Sequence, residues 1–88
     1  MEFEWDPNKA ARNWHKHKID FETATKVFDD PFRIETDEPD DDDEMRYKVT
    51  GMVDGRLLVV AYTMRGDVYR IISARLADRH ERRDYHEV

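Results

Sequence analysis

Arg79, Arg82, Arg83 and His86 stand at spacing i, i+3, i+4 and i+7, so on a helix they line one face. Arg75 lies just upstream and Arg65 sits in an Arg-Gly-Asp turn, which puts six arginines between Arg65 and Arg83. Guanidinium groups stay charged at any working pH and grip phosphate oxygens in bidentate fashion. Such a set can hold a nucleic-acid backbone and stabilise the charge that builds on a phosphate under attack. The same spacing also suits a solvated face on which Glu81, Asp84 and Glu87 pair with the arginines.

The remaining chemistry-bearing residues are less specific. His15 and His17 are two residues apart, which on a helix sends the rings to different faces and disfavours a shared metal. His17, at a helix end, suits capping of carbonyls, exposure to solvent, or a role in catalysis. Asp40 to Asp43 lack the alternating ligands and central glycine of a calcium loop. Tyr47, Tyr62 and Tyr69 fall on strand segments, where tyrosine either packs or stacks on bases. The chain has no cysteine, so thiolate zinc sites and disulfides are excluded. With no Gly-rich phosphate loop or nucleophile elbow in the sequence, no cofactor or metal is expected.

The formal net charge of −6 from 88 residues argues against a polyanionic partner only at first sight. Residues 29–44 hold ten acids and one base, leaving 11 acids against 14 bases elsewhere. Local patches therefore decide partners more than the total does. The start, MEFEWD, lacks a signal-peptide pattern, and the apolar run Leu57 to Tyr62 is too short to span a bilayer. A cytoplasmic protein with no membrane partner is expected.

These residues must be carried by one small domain over residues 1–88. FEW at residues 3 to 5 reads as a short strand. Asp6-Pro7 is an N-cap with proline at the first helical position, opening a surface helix to about His17 anchored by Trp14. Asp20 restarts a second helix, in which Phe21, Ala24, Val27 and Phe28 repeat at helical spacing until Asp29-Asp30-Pro31 stops it. Phe32 to Thr36 alternates as a strand, and DEPDDDDE reads as a solvated, mobile loop. Met45 to Met52, Arg56 to Thr63 and Val68 to Ala74 are further strands, separated by hairpin turns at Asp54-Gly55 and Arg65-Gly66-Asp67. The nearly continuous apolar run in Arg56 to Thr63 predicts the central strand, covered on both faces. Asp78, with Glu81 three residues on, caps the last helix. The expectation is an α+β domain: an antiparallel sheet of four to five strands, two N-terminal helices and one C-terminal helix, with helices on one face.

FEWDPNKAARNWHKHKIDFETATKVFDDP, GRLLVVAYTMRGDVYRIISAR and ERRDY, in this order and spacing over nearly the whole chain, resemble the BrnT family of type II toxin-antitoxin toxins. The resemblance implies a RelE-like fold, a metal-independent endoribonuclease activity that arrests translation, and neutralisation by a BrnA-like ribbon-helix-helix antitoxin. Through that antitoxin the complex would reach operator DNA. The matched positions are Lys16 and His17 in the KH motif, Arg65 in TxRG, Arg75 in ISAR, and Glu81, Arg82 and Tyr85 in ERxxY. As catalytic candidates this gives Arg65, Arg75 and Arg82 as cations, Glu81 or His17 as proton acceptor, and Tyr85 as a positioning or donating group. Lys16, Arg79 and Arg83 would support RNA binding. Two positions depart from the pattern: Lys18 where a glycine commonly follows KH, and Met64 where a glutamate often precedes the arginine of TxRG. The alternative function is a catalytically silent binding module, or a corepressor acting only with its antitoxin.

Overall fold

The computed structural model describes residues 1–39 and 45–87. Among these the chain forms strands β1 (Glu2–Trp5), β2 (Ile34–Pro39), β3 (Met45–Val53), β4 (Arg56–Arg65) and β5 (Val68–Leu76), with helices α1 (Pro7–His17), α2 (Phe21–Ala24) and α3 (Arg79–His86). The strands make one sheet in the order β1-β5-β4-β3-β2. β4 is central, as its apolar run predicts. The hairpins joining β2 to β5 enforce antiparallel neighbours, but β1 adds beside β5 in parallel, Glu2 opposite Val68 and Trp5 opposite Ile71. The sheet is therefore mixed and not wholly antiparallel. A strand followed by helices can return to either edge and in either sense, and four residues carry no pattern that chooses.

Alternation along β4 divides the core. Leu58, Val60 and Tyr62 face a large cluster with Ile19, Phe21, Val27, Phe28 and Ile71, whereas Leu57 and Val59 meet Ala77, with Met52 and Tyr85 packed against them. Thus α1 and α2 cover one face and α3 lies on the other, which corrects the placement of all helices on one side. The second helix is also shorter than expected. Asp20 caps it by accepting from the Thr23 N–H at 2.6 Å. The Thr25 hydroxyl then donates back to the Glu22 carbonyl at 2.7 Å, and the chain tightens into a 3-10 turn, Thr25–Asp29.

β2 runs two to three residues later than predicted, so Asp37 pairs with Tyr47 inside the ladder and is not in a loop. The rest of the acidic run, residues 40–44, lies outside the described residues. The strand tyrosines pack: Tyr62 is buried, its ring centroid 5.4 Å from those of both Tyr47 and Tyr69 and 5.2 Å from Phe28. Burial, then the hydrogen bond to Glu35, pushes the Tyr62 hydroxyl well above the ordinary tyrosine range. Tyr62 is thereby closed off from solvent, while Tyr47 and Tyr69 stay half-buried beside it.

The helix side sits close to the sheet at Gly51. A Cβ there would lie 2.9 Å from the Val27 carbonyl oxygen and 3.2 Å from the Val27 Cβ. Gly51→Ala is expected to push the 3-10 turn outward and cost about 1–3 kcal/mol, read as a lower midpoint in urea unfolding; an unchanged midpoint would show that the turn yields freely.

Candidate nucleic-acid interface and active surface

α1 is held by Asn13, not by Trp14. Asn13 is buried, its amide donating to the carbonyls of Ile19 (3.0 Å) and Ala74 (2.9 Å) and accepting from the Ala74 N–H at 3.0 Å. It stands where β1, ending at Trp5, no longer pairs with β5. Trp14 is exposed instead, with the Lys18 ammonium 5.6 Å from its ring. Lys18 adopts the left-handed conformation (φ 58°, ψ 34°) that a glycine would take without strain, and its N–H donates to the Trp14 carbonyl at 2.9 Å. The turn after KH is thus of the form a glycine favours.

On the α3 face, β-sheet register puts Lys48, Ala61 and Ser73 in one row across β3, β4 and β5, and Thr50, Val59 and Arg75 in the next. The small residues Ala61 and Ser73 share the row of Lys48, and Arg75 stands in the next row. Glu81, projecting from the first turn of α3, ties both: its carboxylate accepts from Arg75 Nη1 at 2.7 Å and Nη2 at 2.9 Å, and from Lys48 Nζ at 3.4 Å. It also completes a capping box, accepting from the Asp78 N–H at 2.9 Å while Asp78 accepts from the Glu81 N–H at 2.9 Å. The bidentate bond from Arg75, against an opposing effect of burial and aided by the Asp78 N–H, lowers the Glu81 pKa to about 2. A carboxylate so acidic is a poor proton acceptor at neutral pH; here it is an anchor for two cations.

The depressed pKa fixes a pH window. Glu81 contributes stability fully above its unfolded value of 4.5, and that contribution is lost as pH falls toward about 2. Glu81→Gln is expected to be less stable than the parent by about 2 kcal/mol near pH 6, the scale of a hydrogen bond to a charged group, with the two melting curves converging by about pH 2. A gap that persists at that pH would mean the charge is not the cause.

Tyr85, one turn beyond Glu81 on the same inward face, does not enter this cluster. Its hydroxyl donates to Asp30 Oδ2 at 2.5 Å. That bond, and then burial, pushes the Tyr85 pKa up to about 12. Asp30 is buried and also accepts from the Met52 N–H at 2.7 Å and the Phe32 N–H at 2.9 Å. Burial alone would raise its pKa, but these hydrogen bonds outweigh it and hold the carboxyl below the ordinary range. The sequence signals only an aspartate before a proline at a helix stop. Its local turn to Phe32 was readable from the Asx spacing, but not its bond to a residue 55 positions away.

The other candidates disperse. Arg65 is exposed at the β4-β5 hairpin, opposite Val68, and six residues along β4 from the row of Arg75 place it about 20 Å away. Met64 packs against the large helix-side cluster, so the departure at this position removes no group from the surface around Arg75. Lys16 and His17 line a groove of about 210 Å³ on α1 with Lys9, Arg12, Ile72 and Ser73, at the open edge of β5. Arg79, Arg82 and Arg83 are exposed on α3, and their side chains make no hydrogen bond or ion pair among the described residues. Their face is solvated, but without the side-chain pairing to Glu81, Asp84 and Glu87 that the solvated reading of the spacing expects. No group of three His, Asp or Glu able to hold a metal occurs among the described residues.

Residues 5–81 match the family described as the ribonuclease toxin, BrnT, of type II toxin-antitoxin systems. The chain belongs to the BrnT family. No curated protein matches it. In this BrnT chain the KH, TxRG, ISAR and ERxxY motifs thus fall into distinct places: an α1 groove, a hairpin tip, and a surface where Arg75 and Glu81 meet. No helix among the described residues is long and apolar enough to cross a membrane.

Proposed function

We propose that this BrnT chain is a metal-independent endoribonuclease that arrests translation in the cytoplasm, with a RelE-like arrangement of its active surface, and that a BrnA-like ribbon-helix-helix antitoxin neutralises it and carries the pair to operator DNA. The observation that carries the reading is the bidentate Arg75–Glu81 pair with Lys48, in sheet rows that also hold the small residues Ala61 and Ser73. RNA can be cut by its own 2′-hydroxyl, which requires a phosphate held in line and cations for the charge that builds on it. Arg75 and Lys48 are pre-oriented by Glu81, so little reorganisation accompanies the reaction. Arg82 extends the positive field from α3, with Arg79 and Arg83 as support. Lys16 and His17 hold the substrate strand from the α1 groove, and Arg65 meets the strand farther along β4. Glu81 serves as positioning group, leaving His17 as the proton acceptor among the original candidates; Tyr85 orients α3.

The chain incubated with end-labelled RNA in EDTA is expected to give fragments ending in 2′,3′-cyclic phosphate. Intact RNA, retained on the protein, would favour the second reading, a silent binding module or corepressor. That reading draws on one observation: Glu81 is held at about 2 and Tyr85 at about 12, so neither is poised for proton transfer near neutrality.

A further inference from the structure

A cavity of about 500 Å³ lies at the far end of α3 from Arg75, lined by Pro31, Phe32, Arg33, Ile34, Tyr85 and His86. We propose that it seats an apolar side chain of an acidic segment of the antitoxin; this rests on the toxin reading above. Phe32 is 73% exposed, more than the other large apolar side chains of the described residues. It is not on a loose loop, because its N–H is held by Asp30 Oδ1 at 2.9 Å and Asp30 is itself buried and bonded to Tyr85 and Met52. An exposed aromatic on a rigid support, beside an apolar cavity, marks a protein contact anchor, since little freedom is lost when a partner arrives.

Charge selects the partner. The unpaired positive charge beside the cavity comes from α3, where Arg82 and Arg83 are exposed one turn back from His86, while Arg33 at the other lip is paired with Glu35. Arg33 Nη1 donates to the Asp30 carbonyl at 3.2 Å, while its Nε is out of solvent and without a hydrogen bond, Glu35 lying 3.4 Å away. The guanidinium is thus pinned in place between the Asp30 carbonyl and the Glu35 carboxylate, a fixed lip for the inserted apolar residue, and the carboxylates flanking that residue are met by Arg82 and Arg83. RNA would also be drawn to the cations, and its bases stack on such rings, so RNA retention is read beside antitoxin affinity.

The test uses the full chain with its full-length cognate antitoxin, in Phe32→Glu, Phe32→Leu and Arg33→Glu variants checked by circular dichroism. All three lie outside the Arg75 surface. Phe32→Glu and Arg33→Glu are expected to arrest growth like the parent yet escape rescue by the antitoxin, with affinity in calorimetry at least about 100-fold weaker for Phe32→Glu; Phe32→Leu keeps rescue. Unchanged affinity in both charged variants would overturn the proposal, as would loss of RNA retention with antitoxin affinity intact. Absence of growth arrest by the parent counts against the toxin reading alone, because the affinity comparison still reads the cavity.

Discussion

Arg75→Ala is expected to lower RNA cleavage by about 100- to 1000-fold, the scale on which removing one preoriented charge donor acts. The reasoning is geometric. Both Arg75 terminal nitrogens are fixed on Glu81, at 2.7 and 2.9 Å, and the side chain keeps 39% of its surface open, so a phosphate reaches a cation that does not have to find its position. Stability should fall much less, by about 1 kcal/mol, because Glu81 retains Lys48 and the Asp78 N–H. Arg82→Ala, from an exposed residue on the same helix, is expected to act in the same direction but more weakly. The comparison is made by initial cleavage rates beside thermal melts. A folded Arg75→Ala variant cutting at the parental rate would remove this surface from consideration.

Asp30→Ala is expected to produce the largest loss of stability of any single change considered, about 3–4 kcal/mol. It strands three donors at once, the N–H groups of Phe32 and Met52 and the Tyr85 hydroxyl. For a domain of this size that lowers the melting temperature by about 15–25 °C. Tyr85→Phe removes only the third bond and should cost about 1–2 kcal/mol. The bond also has an alkaline limit: with Tyr85 raised from 10.0 to about 12, its contribution is whole below pH 10 and disappears as pH rises through about 12. Both variants loosen the far end of α3, so cleavage should fall along with stability. An Asp30→Ala protein melting within a few degrees of the parent would show that α3 is docked by its apolar contacts alone.

How far the sequence reached can be judged from particular residues. Pro7 after Asp6 and the Asp78 to Glu81 capping box placed the starts of both long helices, and Asp54-Gly55 formed its hairpin with both residues at positive φ, 50° and 83°. These are local signals with local causes. α3 was assigned to the wrong face because its inward pair, Glu81 and Tyr85, is polar and breaks the apolar period by which a buried face is read. Trp14 was preferred to Asn13 as the anchor of α1 because size suggests burial, whereas what the open β5 edge needed was an amide to satisfy Ala74. At the site, Arg75 and Glu81 were both legible as candidates. Their mutual neutralisation was not, since it depends on a sheet row meeting a helix turn.

The parallel pairing of Glu2 with Val68 and Trp5 with Ile71 has a consequence for how the protein is made. The first strand waits for a partner encoded some 66 residues later, and loop closure over that length makes this among the slowest contacts to form. Asn13 likewise waits for Ala74, and Arg75 for Glu81. During synthesis the nascent chain therefore passes through nearly all of its length without an assembled site. A protein whose proposed activity would damage its own translation thus becomes dangerous only once residues up to about Tyr85 have left the ribosome, when a waiting partner can meet the finished surface.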